Sequence, residues 1–325
     1  MHRDKERGSM MDLTASKCQL VSVIVTTYGR PEEAKRAVKS ILAQTYSPQE
    51  IIIVDDGSRS QISDQIEQST SIPIKCIEHL SNHGLAAARN SGALAARGEL
   101  LAFLDDDDSW HSEKLELQIK CLEDHPNKVV YCGAKTIDRT GEVIAINSPL
   151  VNGSILQSIK QGRLTTIPSS LLISRKLFNE VSGFDEDLKT GIDHDFWFKL
   201  ARFEVEAEAV ESSLVIQFEN NSPQMTSRLT ERTIGVEEFL KKWTEQLEEW
   251  MGASAANHYC RRYKAKFLAH TNTVALLKTS QLKYRINLLK IFIKNPVIFT
   301  REPRFLIALI CGSTCYRFIR RRLSK

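Results

Sequence analysis

The chain has 325 residues, enough for two domains or for one domain with a large extension. Hydrophobic residues make up 42% and charged residues 26%, the balance of a globular protein with a packed core, with no low-complexity tract. The formal net charge of +4 hides an asymmetry: residues 283–325 carry ten net positive charges and residues 1–282 six net negative ones, and this acidic body, without interleaved basic and aromatic residues, argues against nucleic acid as a partner.

Residues 1–18 are polar and charged, lack the apolar stretch of a signal peptide, and read as a disordered leader. Strands and helices alternate from Leu20 onward. The apolar, β-branched run VSVIVTTY (21–28) predicts a buried parallel strand. Pro31 opens a helix as a favoured first-turn residue, with Ala34, Ala37, Val38, Ile41 and Leu42 on its apolar face. EIIIVDD (50–56) and IKCIEH (74–79) predict two further strands. Gly84 precedes a helix over 85–97, and ELLAFLDDDD (99–108) predicts a fourth strand ending on acids. A helix over 112–125 follows, with Ser109 or Ser112 as its cap. This alternation predicts a mostly parallel sheet with helices on both faces, whose ligands sit beyond the carboxyl ends of the strands. A hairpin across Thr140-Gly141 is expected over 129–146, then strand, helix and loop over 169–188, and an aromatic helix over 193–203. Beyond Ser227 the chain reads as helical, near 229–250, 254–279, 281–294 and 303–320.

The strand ends carry the chemistry. Four consecutive carboxylates, Asp105 to Asp108, repel one another unless a cation or hydrogen bonds compensate. Hard cations such as Mg²⁺ and Mn²⁺ prefer oxygen ligands. In an extended chain either Asp105 and Asp107 or Asp106 and Asp108 would face one site. Asp55 and Asp56 can accept hydrogen bonds from a nucleobase or ribose, or serve the Asp-Gly-Ser turn that follows them. Gly84 and the helix after it can approach phosphate, with Arg89 to balance charge. Asp193 and Asp195 open the aromatic helix, where acids also complement the helix dipole. Seven cysteines, an odd number without a C-x-x-C pair, argue against a disulfide framework or zinc site and favour a reducing, cytoplasmic setting.

Together the segments VSVIVTTYGR, ILAQTYSPQEIIIVDDGS, NHGLAAARNSGALAARGELLAFLDDDDSW and GFDEDLKTGIDHDFW resemble the family 2 glycosyltransferases, inverting enzymes of the GT-A fold. The resemblance spans about Val21 to Arg202. It implies a Rossmann-like GT-A domain over 19–228, with a nucleotide-sugar half (19–128) and an acceptor half (129–228), followed by a helical region over 229–325. It implies that Thr26 and Tyr28 line the nucleotide pocket, that Asp56 binds the base with Asp55 beside it, and that Gly84 and Arg89 lie along the nucleotide. Asp105 and Asp107 look like the DxD pair that holds Mn²⁺ or Mg²⁺ against the diphosphate, with Asp106 between them as a further substrate-binding residue and Asp108 and Trp110 completing the string. Asp193 matches the catalytic base, and Trp197 would wall the acceptor side. The chain departs from the pattern at Ile192, where an acid is usual, and at Lys199, where an Arg is common; Asn220 or Asn221 stands near a position often held by His.

The implied reaction is metal-dependent, inverting transfer from a nucleotide-diphosphate sugar, a UDP-sugar being favoured, to a glycan or lipid-linked acceptor. Asp56 suits uracil without excluding guanine or thymine. Two other classes use similar geometry. A nucleotidyltransferase would carry a Gly-rich, basic loop after the first strand, where this chain has TTYGRPEEAKR; a non-catalytic scaffold would have no need of Asp105, Asp107 and Asp193. The tail places Phe305, Leu306, Ile307, Leu309 and Ile310 before RFIRRR (317–322), an amphipathic pattern that can rest on an anionic membrane surface at the cytoplasmic face.

Overall fold

The computed structural model describes residues 19–310 apart from 61, 67–70, 125–127, 150, 165–166, 220–228, 280 and 302–304. The expected leader over 1–18, Asn220 and Asn221, and the basic run 317–322 lie outside the described residues. Four parallel strands, β1 (Val21–Thr27), β2 (Glu50–Asp55), β3 (Ile74–Glu78) and β4 (Leu100–Asp105), pair in the order β3-β2-β1-β4. Helices α1 (Pro31–Leu42), α2 (Ile62–Gln65) and α3 (Leu85–Ala95) connect them. The chain continues through β5 (Asp108–Trp110), α4 (Lys114–Asp124), β6 (Val129–Ile137), β7 (Val143–Asn147), β8 (Gly153–Ser154), α5 (Ile155–Gln161), β9 (Leu172–Ser174), α6 (Arg175–Glu180), α7 (Ile192–Arg202) and β10 (Glu206–Phe218). The sheet extends past β4 as β9-β6-β10-β5, where β6 and β10 are parallel and the other pairs antiparallel.

Alternation along β1 divides the core. Val21, Val23 and Val25 face α1 and α4, while Ile24 faces the layer built by α3, α5, α6 and α7. Both faces of the sheet are therefore covered, as the continuous apolar runs of β1, β2 and β4 require. Leu42, expected on the apolar face of α1, is 37% exposed, whereas Ala34, Ala37, Val38 and Ile41 are buried.

The strand expected over 99–108 ends at Asp105. Asp105 is the last residue of β4 in register with β1, opposite Thr26. The chain then turns through Asp106 and Asp107 and enters β5, which pairs with β10. Ser109 lies inside β5, so it does not cap the following helix. The hairpin expected around Gly141 is present as β6 and β7.

Four helices follow, α8 (Leu229–Met251), α9 (Ala253–Thr279), α10 (Leu282–Lys294) and the short α11 (Pro296–Arg301), and 305–310 is helical too. Phe239, Trp243 and Leu247 of α8 enter the same core as Phe196 and Phe198 of α7. Gly235 allows this contact, because a Cβ there would lie 2.6 Å from Thr190 Cβ, just before α7. Trp243 Nε1 donates to the fully buried Asp195 at 2.7 Å, and Lys242 lies 2.6 Å from the same carboxylate oxygen. Farther along, α9, α10 and α11 build a separate small core around Ala269, Leu288 and Phe299. Phe305 and Leu309, expected to face a bilayer, are buried in it.

Replacing Trp243 by Phe keeps the ring packing but leaves the Asp195 carboxylate short of a donor. The expected cost is about 1–3 kcal/mol, read as a lower denaturant midpoint with an unchanged slope.

Candidate active site

Register brings the candidate residues to one edge. Thr26 pairs with Asp105 and Thr27 with Asp55, so the ends of β1, β2 and β4 coincide. Thr26 is buried, and its hydroxyl lies 3.4 Å from Asp105 Oδ1. Tyr28, one residue beyond the strand, is 54% exposed.

Arg89 joins this edge to α7. Expected along the nucleotide, Arg89 has a side chain that is 1% exposed and pairs with two carboxylates. Nη2 donates to Asp105 Oδ1 and Oδ2 at 2.8 and 3.0 Å, and Nη1 donates to Asp193 Oδ1 at 2.8 Å. The Phe184 ring lies 5.1 Å beneath the guanidinium. Burial alone would lower the Arg89 pKa, but Asp105 and Asp193 hold it well above its ordinary value. Burial raises the Asp193 pKa and repulsion from Asp105 adds to this, against the pull of Arg89. Among the described residues Asp193 Oδ2 accepts no hydrogen bond, and the side chain keeps 34% of its surface.

The four consecutive acids separate into two pairs. Asp106 and Asp108 are buried. Asp106 accepts from Thr27 Oγ1 at 2.7 Å and pairs with Arg30, so it faces the protein rather than a ligand. Asp108 accepts from Ser169 Oγ at 2.6 Å. The side chains of Asp105 and Asp107 retain 26% and 23% of their surface. The turn after Asp105 produces this division, not the alternation of an extended strand. Burial pushes the Asp106 pKa up to about 7, helped by Asp105 and Asp107 and opposed by Arg30 and Thr27. Burial and the Asp105 charge also raise Asp107, although Arg30 Nη1 lies 3.1 Å from it. Four carboxylates thus share two guanidiniums, Asp108 pairing with neither, and the edge keeps more acidic oxygen donors than cations. That donor set fits a hard divalent cation, although no ready-made group of three ligands occurs among the described residues.

The acids at the end of β2 hold loops. Asp55 is 1% exposed and accepts from the backbone and hydroxyl groups of Ser58 and Ser60, so the turn reading of Asp-Gly-Ser holds for it. Asp56 accepts from His83 N at 2.9 Å and Gly84 N at 2.8 Å, and His79 Nδ1 lies 2.8 Å away. It thereby fixes the start of α3, whose N-terminal neighbour Gly84 has φ +96, a conformation other residues rarely adopt. Trp197, expected to wall the acceptor side, is 4% exposed and packs edge-on against Tyr131 in the core. Asp195 is likewise committed to α8, and Lys199 donates to Gly183 O at 2.9 Å, fixing the turn before α7.

Arg30 and His79 received no role from the sequence. Arg30 follows the first strand within TTYGR, and this position at a strand end was the available signal. His79 follows β3 and links Asp56 to Ser91 Oγ, 2.9 Å from its Nε2.

Residues 22–182 match the family described as Glycosyl transferase family 2. An uncharacterized glycosyltransferase of Rickettsia typhi is 32% identical over 243 residues, covering 70% of this chain and 73% of that protein. One from Rickettsia felis is 31% identical over 71% of this chain, which spans only 39% of that longer protein. The Escherichia coli UDP-Glc:alpha-D-GlcNAc-diphosphoundecaprenol beta-1,3-glucosyltransferase WfaP is 39% identical over 105 residues, 32% of this chain and 42% of WfaP. The crystal structure of S. aureus TarS 1-349 with UDP-GlcNAc shares the fold, with a TM-score of 0.57 at 18% identity over 89% of this chain and 81% of that one. The chain belongs to glycosyl transferase family 2, and its fold is of the GT-A type.

Replacing Arg89 by Met leaves Asp105 and Asp193 facing each other without their shared cation. Because both retain some solvent, the expected loss of stability is about 2–3 kcal/mol. Denaturant titrations should show a smaller loss at acid pH, where the carboxylates take up protons, than at neutral pH.

Proposed function

We propose that this family 2 glycosyltransferase moves a hexose from a nucleotide-diphosphate sugar, a UDP-sugar for preference, onto an acceptor hydroxyl with inversion at the anomeric carbon. The observation that carries this reading is the bridge from Asp105 through Arg89 to Asp193. It fixes a strand-end acid and a helix-start acid on either side of one buried cation, one for the donor and one for the acceptor.

In this reading the nucleotide lies across the ends of β1, β2 and β4, against Thr26 and Tyr28, with the base near Asp56 and the phosphates toward Gly84. Asp105 and Asp107 are the residues that would hold Mn²⁺ or Mg²⁺; their partial exposure supports this pair over Asp106 and Asp108. When bound, the ion supplies positive charge to the diphosphate as the glycosidic bond breaks. Asp193 takes the proton from the acceptor hydroxyl as that oxygen bonds to the anomeric carbon, and the nucleoside diphosphate departs from the opposite side. Arg89 holds Oδ1 of this base in place. Burial makes its carboxylate more basic than a solvated one.

The nucleotide-sugar half is assigned to 19–128, the acceptor half to 129–228 and a helical region to 229–325. A sugar carried on a lipid diphosphate is the acceptor named for WfaP, which supports a glycan or lipid-linked acceptor here; a cytoplasmic site of action rests on the cysteine usage.

Asp193→Asn should lower kcat by about 10²–10⁴-fold and leave the dissociation constant for the donor nucleotide nearly unchanged. Turnover near the wild-type rate would exclude Asp193 as the base. Since the base must be ionised and burial raises its pKa, the wild-type rate should fall as pH decreases through an acid limb higher than that of a solvated aspartate, and Asp193→Asn should remove that limb. Chelation by EDTA should abolish release of nucleoside diphosphate from the donor, and Mn²⁺ or Mg²⁺ should restore it. Full activity in EDTA would remove the metal from the account.

A further inference from the structure

Helix α10 turns an apolar stripe outward. Leu282, Ile286, Leu289 and Ile293 recur at intervals of four, three and four residues, which places them on one helical face. They are 68%, 44%, 47% and 70% exposed, and Val297 in α11 adds a further apolar residue at 56%. The inward face is a different set: Leu288 is buried in the small C-terminal core, with Tyr284, Ile291 and Phe292 packed against it. Core packing therefore accounts for only part of the helix's apolar surface. Single exposed leucines are ordinary on a protein surface, but an aligned row on one helix marks a contact surface.

Charge selects the occupant. Lys283, Lys290 and Lys294 are exposed beside the stripe, and residues 282–301 contain no Asp or Glu. A second copy docking on this face by two-fold symmetry would bring only the same acid-free helix, so these lysines would find no carboxylate partner on it. An anionic lipid surface would complement them. We infer that α10 is a membrane-docking helix that lies along an anionic bilayer, with Leu282, Ile286, Leu289 and Ile293 in the boundary between head groups and acyl chains and the lysines at lipid phosphates.

This docking surface is separate from the tail, of whose apolar residues Phe305 and Leu309 are buried in the small core and Ile310 is exposed. Arg285 binds α10 to that segment, donating to Leu309 O at 2.7 Å. No described helix is long and apolar enough to cross a membrane, which agrees with an orientation along the surface. The inference is independent of the donor reading, although a surface-bound enzyme would meet lipid-linked acceptors directly.

The test is co-sedimentation of the full chain with vesicles of phosphatidylcholine and phosphatidylglycerol in equal parts, and with phosphatidylcholine alone. The wild type should partition onto the mixed vesicles and be released by high salt. The double variant Ile286→Asp/Leu289→Asp changes exposed side chains and should unfold at the wild-type temperature, yet partition at least about tenfold more weakly. Lys290→Glu/Lys294→Glu should show a similar loss. Absence of wild-type binding to the mixed vesicles, or equal binding by the Asp variant, would overturn the inference. So would a wild-type dimer that the Asp variant converts to monomer while vesicle binding stays unchanged, since the stripe would then be a self-interface.

Discussion

One buried guanidinium holds the two sides of the site together. Arg89 leaves the first turns of α3 and meets Asp105 at the end of β4 and Asp193 at the start of α7. Each partner is anchored independently. β4 is fixed by its register with β1, and α7 is fixed by aromatic packing and by the tie from Asp195 to Trp243. The guanidinium thus fixes the separation between a strand-end carboxylate and a helix-start carboxylate that would otherwise repel. Its low exposure makes this electrostatic link stronger than the same contact in water.

Negative charge at the edge is the second constraint. Arg30 and Arg89 pair with four of the five carboxylates, and burial raises the proton affinity of Asp106, Asp107 and Asp108. The fold retains acids there at an energetic cost, a pattern that belongs to sites where a ligand completes the charge balance. The C-terminal helices contribute from behind. α8 supports α7 through Phe239 and Trp243, so the placement of Asp193 depends on a segment far outside the matched residues 22–182.

The parallel half of the sheet was legible because its strands are continuous apolar runs separated by helix signals such as Pro31 and Gly84. The edge on which the acids gather followed from strand polarity alone. Other features were hidden for specific reasons. A run of four identical acids carries no periodicity, so only the turn after Asp105 shows that Asp106 and Asp108 point into the protein. Asp55 and Asp56 are adjacent and chemically identical, yet one serves a turn and the other the start of α3, as their backbone partners decide. Trp197 shares a helix with Asp193 but faces the core, because that helix is buried on most of its surface. The outward stripe of α10 was hidden as well, since a helix with apolar residues on two faces does not reveal which face its neighbours cover.

In the proposed function the partly exposed acids at the end of β4 and the base on α7 serve one donor–acceptor site joined by Arg89. Diffraction from crystals grown with UDP and Mn²⁺, recorded for the anomalous signal of manganese, tests it most directly. One manganese peak is expected on the Asp105 and Asp107 carboxylates, with UDP across the ends of β1 and β2 and Arg89 still in contact with Asp193. Manganese on Asp106 or Asp108, or UDP bound away from this edge, would contradict it.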